Sequence, residues 1–164
     1  MKRLYLLRHA KSSWNDPDIA DLDRPLNDRG TKAAAFIGEL VQANDLLPDI
    51  VLVSPAKRAA QTAELVRQSW PSDVDTIIDP RIYEASPQAL RQVVSEVDSS
   101  YDAVMLIGHN PGIEGFITFL TGSIEPMATA ALAVITLDID EWSAINDGLG
   151  KVEHIYRPKN EMNS

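Results

Sequence analysis

The chain has 164 residues, a formal net charge of −9, 45% apolar and 24% charged residues, and no cysteine. That length suits a single domain with one substantial core, and the composition is that of a globular chain rather than a disordered one. An acidic balance argues against nucleic acid and anionic membrane surfaces as partners, since both select basic faces. Without cysteine there are no disulfides, no thiolate catalysis and no cysteine-ligated metals.

The opening MKRLYLL has the basic start of a signal peptide, but its apolar run is short and Arg8-His9 interrupts it. No apolar stretch approaches the roughly 20 residues that span a bilayer, and the expected location is cytoplasmic. Arg3–Leu7 reads as a first strand. A polar loop follows, with four aspartates between Asn15 and Arg24. Asp28–Asn44 reads as a helix because Ala33, Phe36, Ile37, Leu40 and Val41 fall on one 3.6-residue face. Asp49–Val53 is a second strand, Ala56–Trp70 a second helix and Thr76–Ile78 a short third strand. Pro87–Val97 is a helix with Leu90, Val93, Val94 and Val97 on one face. Tyr101–Ile107 is a strand, Gly112–Leu120 a helix, and Ala130–Leu137 and Val152–Tyr156 a closing pair of strands. The alternation predicts an α/β three-layer sandwich, a mainly parallel central sheet with helices on both faces and an antiparallel edge. Residues 1–158 form one domain in this reading, and 159–164 a disordered tail.

Ligands of open α/β sheets bind outside the carboxyl ends of the parallel strands. Here three such ends carry unusual residues: Arg8-His9 after the first strand, SPAKR after the second and GHNPG after the fourth. Ser54 can cap a helix, Pro55 suits its first position, and Arg58 falls in the first turn. After His109, Asn110 is a cap candidate and Pro111 a helix start. Two helix N-termini and two arginines would make an anion hole, since helix ends and guanidinium forks both suit phosphate. Each feature alone has a bland reading, a solvated strand end or a structural histidine. Three of them in chain order are much harder to dismiss.

Together these motifs resemble the histidine phosphatase superfamily, which includes phosphoglycerate mutases and acid phosphatases, and within it the short SixA-type phosphohistidine phosphatases. LRHAKSSW resembles the N-terminal histidine motif, with Ala10 in the usual glycine position. DRPLNDRG (Asp23–Gly30), SPAKRAAQTAE (Ser54–Glu64), IYEAS (Ile82–Ser86) and IGHNPG (Ile107–Gly112) match the family's later segments. The resemblance implies a phosphoglycerate mutase-like fold and a nucleophilic His9 that forms a phosphohistidine intermediate. It places Arg8, Arg58 and His109 around the phosphoryl group, and it requires no metal or other cofactor. Glu84 stands where related phosphatases carry a proton donor, against the alternative that it merely precedes the helix near Pro87. Asp16, Asp18 and Asp21 are weaker candidates for that role. Ser12, Asn15 and Asn110 are implied substrate contacts, although Ser12 and Asn15 also suit local turn hydrogen bonds. Trp14, Trp142 and His154 read as structural.

Larger family members insert helices that roof over small substrates, and the run from Trp70 through WPSDVD leaves no room for such a lid. An open pocket suits a phosphohistidine domain presented on a protein surface. It would also admit a small phosphate ester, and a phosphate-binding module without catalysis is the reading from a different class.

Overall fold

Leu4 and Leu6 on one side of the first strand, and Tyr5 and Leu7 on the other, are all buried. A strand apolar on both faces belongs inside a sheet covered on both sides. The computed structural model, which describes residues 1–162, places it there. β1 (Lys2–Arg8), β2 (Ile50–Val53), β3 (Asp75–Ile78), β4 (Ala103–Gly108), β5 (Leu132–Leu137) and β6 (Gly150–Tyr156) form one sheet in the order β3-β2-β4-β1-β5-β6. The first four are mutually parallel, while β5 and β6 complete the β1 side antiparallel. The sheet is thus mixed and mostly parallel, as the alternation of elements predicts.

Helices cover the two faces in pairs. α1 (Asp28–Ala43) and α2 (Lys57–Arg67) bring Ala34, Ile37, Val41, Ala63 and Val66 against Tyr5, Leu7, Val51 and Met105. α3 (Pro87–Ser95) and α4 (Gly112–Thr121) bring Leu90, Val94, Phe116 and Leu120 against Leu4, Leu6, Leu52 and Leu106. Strand alternation therefore divides the apolar residues into two cores, one per face. Trp142 is fully buried in the second of them, the packing role expected of it.

Element ends differ from the sequence reading where side chains or special backbone intervene. α2 stops at Arg67 rather than Trp70, whose indole N–H instead donates to the Gly38 carbonyl (2.9 Å) and ties the chain to α1. β5 begins at Leu132 because Ala130 has φ 61° and turns its N–H to the carbonyls of Arg8 and His9. Pro158–Glu161 form one helical turn, α5, running from the last residue read as domain into the segment read as a tail, and residues 163–164 of that segment lie outside the described residues. Among the described residues no helix is long and apolar enough to cross a membrane.

The strand order is what assembles the site. β4 lies between β1 and β2, with Arg8 opposite Gly108 and Val53 opposite Ile107, so three strands end level with one another. Past those ends the His9 N–H donates to the Gly108 carbonyl (3.0 Å) and the Ser54 N–H to Ile107 (3.1 Å). The loop leaving β1 is clamped by the start of α1: Asn27 donates its N–H to the Lys11 carbonyl, and its side chain accepts from the Gly30 N–H. A Cβ on Gly30 would lie 2.0 Å from the Lys11 carbonyl oxygen, so only glycine permits this approach. Gly30→Ala should therefore cost about 1–3 kcal/mol of stability, read as a lower midpoint in urea unfolding, and should shift the loop after β1. An unchanged midpoint would mean that this close approach is not required.

Candidate active site

His9 is 6% exposed and sits just beyond β1. Its Nδ1 is 2.7 Å from the Ala10 carbonyl, and a carbonyl only accepts, so Nδ1 carries the proton. In the neutral ring the lone pair is then on Nε2. Burial is the main force holding the His9 pKa down to about 4; the Ala10 hydrogen bond opposes it, and Arg58, Arg8 and Arg24 lower it further. At neutral pH His9 is an uncharged base beside several fixed cations.

His109 follows β4, its ring centroid 5.0 Å from that of His9. Its Nδ1 accepts from an Arg58 N–H (3.4 Å), and its Nε2 donates to the Ser54 hydroxyl (2.8 Å). Ser54 Oγ also accepts the Ala56 N–H (3.2 Å), so the residue after β2 both holds His109 and shapes the entry to α2. Burial is again the first cause of a pKa near 3, followed by His9 and Arg58. The edge-to-face ring of Tyr83, at 5.6 Å, closes the other side of His109.

Arg58, in the first turn of α2, is 5% exposed. It donates to the Asp21 carbonyl (2.7 Å) and to Asp21 Oδ2 (3.0 Å). Asp21 in turn accepts from the Tyr83 hydroxyl (2.6 Å) and from Arg24 (3.2 Å). The Tyr83 hydrogen bond above all, then Arg58 and Arg24, holds the Asp21 carboxyl at about 2, so it is anionic. Arg8 donates to the Met127 carbonyl (3.0 Å), which also accepts from the Asn110 amide (2.8 Å). Glu114 of α4 takes the Met127 N–H (2.7 Å) and fixes that carbonyl hub. Arg8, Arg58 and Arg24 each keep a buried Nε without a hydrogen-bond partner.

The structure thus brings His9, Arg8, Arg58 and His109 together, all from strand ends. Glu84 lines the same cleft of about 430 Å³ as Asp21, Arg58, Tyr83, His109 and Asn110. Its backbone is left-handed (φ 54°), and the Ala85 carbonyl that follows lies against the start of α4, 2.4 Å from where a Gly112 Cβ would be. Ser12 meets the site indirectly, its hydroxyl accepting from Arg24. Asn15 is exposed and donates its N–H to Ser13 Oγ, a local turn contact, and Asp16 and Asp18 are exposed in the same loop.

Three expectations are corrected. Ser54 and Pro55 do not open α2: the helix begins at Lys57 with Ala56 as its cap residue, and Ser54 Oγ instead takes the Ala56 N–H in the turn before it. Asn110 does not cap α4: Pro111 is the cap residue, the helix begins at Gly112, and the Asn110 amide turns to the Met127 loop that Arg8 also holds. Trp14 does not pack in a core; it is 75% exposed, with the Arg24 guanidinium over its ring at 3.6 Å, because Arg24 is the cation buried beneath that loop. Among the residues without a predicted role, Thr62 accepts the Ala10 N–H (3.0 Å) and donates to the Arg58 carbonyl (2.7 Å), linking the two motifs. It lies within SPAKRAAQTAE, one helical turn after Arg58, and that spacing was the available signal. The roles of Arg24, Tyr83 and Met127 needed the folded chain.

The model of the Histidine phosphatase superfamily (branch 1) matches residues 4–112, which contain every one of these strand ends. The chain belongs to the histidine phosphatase superfamily. Its match to a candidate phosphohistidine phosphatase SixA from Agrobacterium tumefaciens has a TM-score of 0.82 at 27% identity, covering 96% of this chain and 98% of that one. An uncharacterized chloroplastic protein of Arabidopsis thaliana is 29% identical over 154 residues, 86% of this chain and 69% of its relative. A 2,3-bisphosphoglycerate-dependent phosphoglycerate mutase of Streptomyces avermitilis is 44% identical over 69 residues, only 41% of this chain and 27% of the mutase. The protein is a histidine-nucleophile phosphatase.

In this histidine phosphatase His9 and His109 are both neutral when folded but take up protons near pH 6.5 when unfolded. The unfolded state then binds more protons between about pH 4 and 6.5, so stability should rise with pH across that window. Urea unfolding between pH 4.5 and 7 should show this slope, and His9→Asn should make it shallower. A folded-state NMR titration giving His9 a pKa of 6 or more would contradict the assignment.

Proposed function

We propose that the protein hydrolyses phosphohistidine on other proteins, with His9 as the nucleophile and without a metal. The observation that carries the chemistry is the fixed tautomer of His9. Its Nδ1–H is committed to the Ala10 carbonyl, leaving the Nε2 lone pair for phosphorus. The P–Nε2 bond forms as the bond to the leaving group breaks, giving a phosphohistidine. Water then attacks phosphorus, the P–Nε2 pair returns to His9, and inorganic phosphate leaves. Arg8 and Arg58 hold the phosphoryl oxygens through the transition state, and His109 lies against the same oxygens. The buried unpaired Nε donors of both arginines support this reading, since such donors are costly unless a ligand accepts from them. Substrate phosphate brought into the cleft offsets the arginine charges, which makes a protonated His109 affordable only in the complex.

For the substrate, support comes from the open cleft and from the likeness to the Agrobacterium SixA protein. The link from α2 to β3 is the short segment 68–74, and none of it forms a helix over the cleft. Asn110 and Glu84 both line the cleft, and in this reading Asn110 would contact substrate while Glu84 would protonate an ester oxygen. A phosphoimidazole needs that donor less, because imidazole is a better leaving group than an alkoxide. The second reading, a small phosphate ester as physiological substrate, uses the same machinery.

Rapid quenching during turnover should trap phosphate on His9 in an acid-labile, alkali-stable bond, and His9→Ala should abolish both label and turnover with the fold intact. Turnover by His9→Ala at near the normal rate would overturn the mechanism. Arg58→Lys keeps the charge but loses the two-pronged geometry, so kcat should fall at least about 100-fold with little change in unfolding midpoint. Comparing kcat/KM for phosphohistidine domains against a panel of phosphorylated metabolites decides the substrate. A metabolite preferred by orders of magnitude would favour the second reading, and no turnover of any substrate would leave a binding module.

A further inference from the structure

We propose that Thr62 is a positioning residue for the nucleophile: through the Ala10 backbone, its buried hydroxyl keeps the His9 proton on Nδ1 and so leaves the Nε2 lone pair free. The proposal rests on His9 as nucleophile and deepens that reading of the site.

The hydroxyl has its roles fixed by its neighbours. Thr62 Oγ1 donates to the Arg58 carbonyl four residues back (2.7 Å), which uses its one proton. The oxygen is left as an acceptor, and it takes the Ala10 N–H at 3.0 Å. At the other end of that peptide the His9 carbonyl accepts from the Ala130 N–H (3.1 Å). The 9–10 peptide is thus held from both sides, by α2 and by the turn before β5. One residue on, the Lys11 carbonyl accepts from the Asn27 N–H (3.0 Å). The peptide planes before and after the Ala10 carbonyl are therefore both anchored, and that carbonyl lies 2.7 Å from His9 Nδ1.

Ala10 and Thr62 are both fully buried, so water does not replace a lost partner of the Ala10 N–H. Without the hydroxyl this donor is left unpaired, a cost that favours rotation of the peptide toward another acceptor. The Ala10 carbonyl turns with it. An imidazole whose Nδ1 loses its acceptor is free to carry its proton on Nε2, and a protonated Nε2 has no lone pair for phosphorus. The same hydroxyl bonds to the Arg58 backbone, so one atom sets the nucleophile against the first turn of α2.

The experiment measures turnover of 4-nitrophenyl phosphate by the full chain and, in the free protein, the nitrogen-15 signals of the histidine rings. The chain has three histidines, and His9→Asn identifies the His9 pattern by its loss. Thr62→Val removes the hydroxyl at nearly constant volume, whereas Thr62→Ser keeps it. Thr62→Val should lower kcat about 10- to 100-fold with KM within about threefold of the parent. Its His9 ring should change from Nδ1–H alone to a mixture with Nε2–H, and Thr62→Ser should restore both readouts. Gln61→Met removes a different hydrogen bond from α2 to the same loop, the one from the Leu26 N–H (2.8 Å), and should leave kcat within about twofold of the parent. Should Thr62→Val fail to fold, Thr62→Ala removes the same hydroxyl and is read in the same way. The proposal is overturned by a folded hydroxyl-free variant with near-parent kcat, or by one that is slow while His9 stays protonated on Nδ1 alone. A Gln61→Met as slow as Thr62→Val would also overturn it, since general loosening of the loop would then explain the effect. Failure of the broader reading would look different: no phosphate trapped on His9 in the parent, while the tautomer signals, which need no turnover, still respond to Thr62.

Discussion

The register that sets Arg8 opposite Gly108 governs the rest of the molecule. It brings the ends of β1, β4 and β2 level, so that His9, His109 and the Ser54–Arg58 segment emerge side by side. Slipping β1 by one residue would exchange Leu4 and Leu6 with Tyr5 and Leu7 across the sheet, against two helix-covered cores. The apolar packing of both layers therefore enforces the geometry of a polar site that lies outside them. Backbone bonds finish the work, since the His9 N–H is held by Gly108 and the carbonyls of Arg8 and His9 by Ala130.

That scaffold sustains an arrangement which would be unfavourable in water. Two histidines and three arginines crowd together at the strand ends, and the crowding is tolerable because both imidazoles stay neutral. Burial supplies most of that effect, and the neighbouring guanidinium groups add to it. The anionic Asp21 offsets part of the remaining positive charge while bracing Arg58 and Arg24. A base kept uncharged beside cations is what a nitrogen nucleophile for phosphorus needs, so the electrostatic cost of the site and its reactivity have one origin.

Support for the site comes from carbonyls and hydroxyls as much as from ion pairs. Met127 offers one carbonyl to Arg8 and to Asn110, and Glu114 holds the N–H of the same residue. Thr62 joins the Ala10 backbone to α2, and Gly30 lets α1 close on Lys11. These contacts link the β1 loop to three separate helices. Such fixed donors and acceptors need not reorganise as charge moves during phosphoryl transfer.

The sequence alone determined the two-faced strands, the amphipathic helices and the strand-end placement of Arg8, His9, Arg58 and His109, because those features follow from local periodicity and from short contiguous motifs. It also marked Glu84 by its position after the third strand. It did not determine that β4 lies between β1 and β2, nor that Asp21 rather than Asp16 or Asp18 reaches Arg58, since both depend on which distant segments pack together. Trp14 and Asn110 were misread for the same reason: an aromatic before a polar loop and an asparagine before Pro-Gly have familiar local uses. What overrode those uses was a buried guanidinium 10 residues away at Arg24 and a carbonyl 17 residues away at Met127. Tertiary structure decided these points because the hydrogen bonds and charges involved exist only after the two cores have formed around the sheet.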